Sequence, residues 1–185
     1  DGLSPVDLST EAMGRRALAS VCLLYLTAKE NVESLKLALN QVISAKSMTL
    51  TVAALTALND IQCKERDEAL DNFFVKWNKQ PRELDKWFSL QASSALESSF
   101  QTVKDLTSAK EFDILNPNRV RSLLGSFVNN NPVNFHRLDG EGYEFLADKV
   151  IQLNRINPQV GARLAIPLTR WHSHIESRKK NMKYQ

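Results

Sequence analysis

Apolar residues recur three to four positions apart along almost the whole of this chain, and that pattern confines it to a helical fold. Leu18, Val21, Cys22 and Tyr25 share one helical face. Leu23, Leu24 and Leu26 widen the arc, which predicts a helix buried on most sides. Val32, Leu35, Leu39 and Val42 form a second stripe, and Leu50, Ala54, Leu58 and Ile61 a third. Met48–Val52 alternates as a strand would, so the pattern alone does not fix where that third helix starts. Leu70, Phe73, Phe74 and Trp77 mark a fourth helix. Pro81, Leu84, Trp87 and Phe88 mark a fifth, and Leu96, Phe100 and Val103 a sixth.

Helix starts are signalled by capping chemistry. Ser4-Pro5-Val6-Asp7 supplies an N-cap hydroxyl, a proline at the first helical position and an early acid. Three Asn-Pro pairs, at 116–117, 131–132 and 157–158, punctuate the second half. Asparagine offers a side-chain oxygen to the first free N–H groups, and proline lacks the N–H that would go unpaired there. Asp139-Gly140-Glu141-Gly142 lacks the regular oxygen ligands of a calcium loop and is expected to start a helix carrying Tyr143, Leu146, Val150 and Leu153. The last stripe runs Val160, Leu164, Leu168, Trp171, Ile175, with Pro167 expected to kink or split it near Ile166. The total is about nine helices with brief connections. Their starts recur roughly every seventeen to twenty residues, a spacing within the range of helix-pair solenoids. The expected fold is all-α: a right-handed superhelical stack of antiparallel helices, α-solenoid-like, within a single domain over residues 1–185.

Composition removes several function classes. The hydrophobic fraction of 43% and only 6 Gly and 6 Pro exclude disordered and collagen-like chains. No apolar run approaches the ~20 residues of a membrane span. The chain starts at Asp1 without a basic-then-apolar leader, so no export signal is visible and a piece of a longer, cytoplasmic protein is expected. The net charge of +3 is local: the segment from Arg170 to Gln185 contributes +4. A solvated helix end accounts for that cluster, and nucleic acid is not an expected partner. Cys22 and Cys63 both sit in apolar patterns and are expected to be buried free thiols, as in a reducing compartment.

No catalytic signature is present. The H-E-x-x-H pattern, which places two histidines on one helical face with a glutamate base, is absent. So are the nucleophile elbow and the glycine-rich phosphate loops. The 3 histidines make no ligand set, because His172 and His174 diverge on a helix and His136 has no acid or cysteine in register. Phe73, Phe74, Trp77, Trp87 and Phe88 at helical spacing are expected to be core. Gly125 lies inside a helical pattern, where close helix packing would compensate its cost. Arg119 and Arg121 lie in a first helical turn, where cations oppose the helix dipole. Either one pairs with an acid while the other is solvated, or one is aimed at an anionic group, which a guanidinium fork suits. Arg163 occupies a similar early place after the last Asn-Pro pair.

Several segments resemble the C-terminal domain of bacterial aminopeptidases of the M1 family, the zinc-dependent alanyl aminopeptidases. They are Asn116-Pro117-Asn118-Arg119-Val120-Arg121-Ser122-Leu123-Leu124-Gly125; Leu84-Asp85-Lys86-Trp87-Phe88-Ser89-Leu90-Gln91; Phe135-His136 with Asp139-Gly140 and Gly142-Tyr143; and Asn157 through Leu164. The resemblance spans most of the chain and is looser in its first forty-odd residues. It implies a parent enzyme whose zinc, general base and amino-terminus pocket lie upstream of this piece. The piece itself would hold no cofactor and no catalytic residue. It would close over the active site, contact the upstream catalytic domain, and face peptide substrates with Arg121 and Arg163. A stand-alone helical-repeat module that binds a peptide or a partner protein is the alternative.

Overall fold

The chain forms two compact units, Asp1–Leu90 and Gln91–Gln185, and the computed structural model describes residues 7–185. Among the described residues every regular element is helical. The first unit holds α1 (Thr10–Thr27), α2 (Val32–Ser44), α3 (Met48–Leu58), α4 (Lys64–Trp77) and most of α5 (Pro81–Ser93). Residues 28–31, 45–47, 59–63 and 78–80 join them. The expected cap at Ser4-Pro5 lies outside the described residues. Asp7 is described and is not helical, and its carboxylate accepts from the Ser9 N–H (2.8 Å). Ser9 is the cap, its hydroxyl accepting from Ala12 N–H (3.3 Å).

The strand-like Met48–Val52 is helical from its first residue. Ser47 caps that helix by accepting from Leu50 N–H (3.3 Å), and the local cap outweighs β-branched alternation. α3 packs against α1, α2 and α4. The core between them gathers Leu35, Ala38, Leu39 and Val42 with Ala54, Leu58, Leu70 and Phe73, all buried. Trp77 and Trp87 pack against its margin. Trp87 also donates from Nε1 to the Leu70 carbonyl (3.2 Å) and lies 4.7 Å from the Phe74 ring. The aromatic run is therefore packing, as its spacing indicates.

Two sequence expectations fail here. Cys22 is exposed and Cys63 half-buried, both as free thiols, and Cys63 stands at the start of α4 rather than inside it. α1 is not buried on most sides: among its apolar residues only Leu23 is fully covered.

The second unit comprises α6 (Ser99–Leu106), α7 (Pro117–Val120), a π turn (Arg121–Gly125), α8 (Ser126–Asn130), α9 (Pro132–Phe135), α10 (Glu141–Asn154), α11 (Pro158–Thr169), a 3₁₀ turn (Trp171–Ser173) and α12 (Glu176–Tyr184). All three Asn-Pro pairs start helices. Asn116, Asn131 and Asn157 each accept from N–H groups two or three residues on. The core is aromatic. Phe100 stacks on Phe127 at 5.5 Å, and Phe127 meets Phe135 edge-on at 5.8 Å. Phe135 in turn meets Tyr143 at 5.3 Å.

The two glycines at the start of α10 have separate causes. Gly140 takes a left-handed φ of 82°, which side chains rarely adopt. At Gly142 a Cβ would come within 2.4 Å of the Phe135 carbonyl oxygen, so only glycine lets α9 and α10 meet. Pro167 does not split its helix at Ile166: α11 runs to Thr169. Proline near the end of a helix removes one hydrogen bond where the ladder is about to stop, and the cost falls accordingly. The stripe's last two residues, Trp171 and Ile175, lie beyond that end.

The basic C-terminal segment is only partly solvated. Arg178 donates from Nε to the His136 carbonyl (2.8 Å), Lys179 pairs with Glu176 (2.6 Å), and Lys183 sits 3.8 Å above the Trp171 ring.

Candidate functional site

Asn116 fixes the start of the rod that carries the first two arginines, and the two point apart, as residues two positions apart on a helix must. Arg119 is buried, 6% exposed, and neither sequence alternative foresaw an interior arginine. Arg121 is exposed, and its Nη1 donates to the Asn118 side-chain oxygen (3.3 Å). At Arg121 the winding loosens into the π turn, a wider turn with i→i+5 bonding. Asn157 starts α11 in the same way and leaves Arg163 exposed in its second turn.

The structure brings Arg121 and Arg163 to the rim of one hollow of about 130 Å³. Val120 and Leu164 form its buried apolar base, with Pro117, Gly125, Asn129 and Val160 around them. Gly125 has no helix packed against it. A Cβ there would meet only the Arg121 side chain, 3.4 Å from its Cγ, so the expected close helix approach is replaced by an open floor beside the arginine. Asn129 is held by donating to the Gly125 carbonyl (2.8 Å).

Among the described residues no carboxylate pairs with Arg121 or Arg163. Two guanidinium groups above an apolar base suit an anion attached to a small apolar group. The volume is well below the roughly 300–1,000 Å³ of a pocket that encloses a drug-sized ligand. A chain terminus or a single residue fits; a folded peptide does not.

The histidines serve structure. His136 Nδ1 and the Tyr143 hydroxyl are 2.9 Å apart, and His174 lies 4.5 Å from the His136 ring. His172 stacks on Trp171 at 3.3 Å. Among the described residues no three His, Cys, Asp or Glu are grouped to hold a metal ion. The resemblance places its zinc outside this chain, and the His136–His174 pair offers only two imidazoles, with His136 Nδ1 already engaged by the Tyr143 hydroxyl.

Burial, the neighbouring His174 and then Arg178 lower His136 from 6.5 to about 4. A histidine kept neutral when folded but free to charge when unfolded destabilises the fold as pH falls from about 6.5 toward 4. Thermal midpoints measured across that window should decline in the natural chain. They should decline less in His136→Asn, where Tyr143, His174 and Arg178 face an amide that does not titrate. Equal slopes would remove His136 from the account.

The hollow was half legible: the repeated Asn-Pro start drew attention to both arginines, but nothing in the sequence marks the π turn or Asn129. The His136 cluster was missed because its partners lie on α10 and beyond α11, with no local spacing to link them.

Residues 2–185 match the family described as a domain of unknown function (DUF3458_C) with ARM repeats. The chain is 38% identical over 173 residues to aminopeptidase N of Escherichia coli K12, covering 94% of this chain and 20% of that protein. It is 36% identical over 163 residues to aminopeptidase N of Caulobacter vibrioides, covering 88% and 19%. A crystal structure of Legionella pneumophila aminopeptidase A in complex with aspartic acid superimposes with a TM-score of 0.86 at 37% identity, covering 93% of this chain and 20% of that one. The chain thus spans about a fifth of the length of the relatives it matches. Helical throughout its described residues, and aligned nearly end to end with that description, the chain belongs to the DUF3458_C family of ARM-repeat domains.

Proposed function

We propose that this chain is the distal C-terminal helical part of a zinc-dependent M1 aminopeptidase that removes N-terminal amino acids from peptides in the cytoplasm. The observation that carries the reading is 36–38% identity, over nearly the whole chain, to aminopeptidase N from several bacteria. It supports a part of such an enzyme over a stand-alone repeat module. No described helix is long and apolar enough to cross a membrane. The chain supplies no catalytic group. Its contribution is closure over the upstream catalytic domain and control of peptide access, with Arg121 and Arg163 as the peptide-facing residues. Their shared hollow can hold a peptide's terminal carboxylate by charge-assisted hydrogen bonds while Val120 and Leu164 meet the adjoining side chain.

The test uses the full-length polypeptide. Arg121→Ala and Arg163→Ala should raise KM for tri- and tetrapeptides by about 3- to 10-fold, the loss of one exposed charge-assisted contact. Turnover of a small aminoacyl-arylamide, which does not reach the hollow, should stay unchanged. The 185-residue chain assayed in parallel should release no arylamine. Peptide and arylamide kinetics that both match the natural enzyme would remove the two arginines from the peptide route.

A further inference from the structure

Arg121, Gly125 and Asn129 follow one another at four-residue steps along the rod, and all three line the hollow. The stripe reads cation, gap, amide, and the gap has no local cause. Gly125 has ordinary helical angles, φ −61° and ψ −41°, which any residue adopts. A Cβ there would stand in ordinary contact with the Arg121 side chain and, the backbone of its own helix apart, meet nothing else within 4 Å. Alanine would fit, and it would favour the helix that glycine weakens. Neither backbone nor packing asks for glycine at 125. What its missing side chain provides is room in the hollow.

The two ends of that room differ in polarity. Arg121 supplies donors and a positive charge at one end, and α11 adds Arg163. Asn129 closes the other end. It donates from Nδ2 to the Gly125 carbonyl (2.8 Å), which leaves its Oδ1 as an acceptor. An acceptor repels a carboxylate and suits a backbone N–H, so an anionic chain end goes to the arginines. Val120 and Leu164 form an apolar base beside it. A carboxylate with an aliphatic side chain next to it matches this set of groups, and the last residue of a peptide carries both.

The geometry points to Gly125 as a residue that determines specificity: the space left by its missing side chain receives an aliphatic side chain on the last residue of a peptide. The assignment rests on the peptide-facing role proposed for Arg121 and Arg163. It adds that the protein reads the far end of its substrate by size as well as by charge.

The test uses the full-length polypeptide and initial rates on two tetrapeptides, Ala-Ala-Ala-Leu and Ala-Ala-Ala-Gly, which differ only in the last residue. The natural enzyme should show a KM about fivefold lower for the leucine peptide, the gain from placing several methylenes on an apolar base that stays partly open. Gly125→Val fills the gap and should raise KM for the leucine peptide about tenfold while moving the glycine peptide less than twofold. Gly125→Ala, which fits beside Arg121, should fall between, and it decides the matter if the valine variant melts early. No preference in the natural enzyme, or a leucine-to-glycine KM ratio unchanged by the substitution in a variant with a natural thermal midpoint, overturns the assignment. The C-terminal amide of Ala-Ala-Ala-Leu separates the two levels. A KM equal to that of the free acid removes the carboxylate reading and this inference with it. A raised KM for the amide, with the ratio unchanged by either substitution, removes Gly125 alone.

Discussion

Asn131→Ala is expected to cost roughly 3–5 kcal/mol, one cap plus the amide donor shared by two buried carbonyls. Asn131 is fully buried, and its side chain works in both directions. Its Oδ1 accepts from Asn134 N–H (3.1 Å) and so starts α9. Its Nδ2 donates to the carbonyls of Ala92 (3.0 Å) and Ser94 (2.7 Å), pinning the end of α5 and the segment after it. Asn134 reinforces the contact by donating to the Leu96 carbonyl (3.0 Å). Urea midpoints read the loss. Asn131→Ser separates the two roles, because a hydroxyl keeps the cap and loses the amide donor. If the serine variant matches the natural chain, the bonds to Ala92 and Ser94 carry no stability.

Trp87→Ala should cost roughly 3 kcal/mol, the low end of the range for large aromatic side chains, because the indole is half-buried at the margin of the core. The indole lies 4.7 Å from Phe74 and 5.2 Å from Phe88, and its N–H is bound to the Leu70 carbonyl across from α5. Its removal opens a void between α4 and α5 that neighbouring rings fill only in part. Trp87→Phe keeps a ring in place and should cost clearly less. A loss below about 1 kcal/mol for the alanine variant would return the aromatic cluster to consideration as a ligand platform.

The class of fold was legible because helical periodicity and capping chemistry are local. The three Asn-Pro starts were readable from two residues each, and the structure places a cap at every one. Ser47 could have settled the strand-like Met48–Val52 stretch, since a hydroxyl directly before an apolar helix is an N-cap signal. What stayed hidden depends on contacts made by distant residues. An apolar pattern shows that a face seeks cover but not whether the cover lies within the same 185 residues, and α1 was misread for that reason. Arg119 was misread for the converse reason: position in a first turn gives no measure of burial. The candidate site was legible as two arginines in like positions and illegible as a hollow, because its floor is made by the loosened winding after Arg121.

That loosened winding also bears on how the family can vary in length. A π turn amounts to one residue inserted into an α-helix, and each residue of an α-helix advances the winding by about 100°. Val120, Leu123, Leu124 and Phe127 are nevertheless all buried, so the wider turn absorbs its surplus residue without turning the apolar face of the rod outward. Removing one residue within Arg121–Gly125 would return the turn to ordinary winding and leave Phe127 against Phe100, whereas removing one from the α turns on either side would rotate everything beyond it by about 100°. Single-residue gaps among relatives should therefore gather within this turn and be scarce along the rest of the rod. Outside the turn, selection acts on the count of residues as much as on their identity.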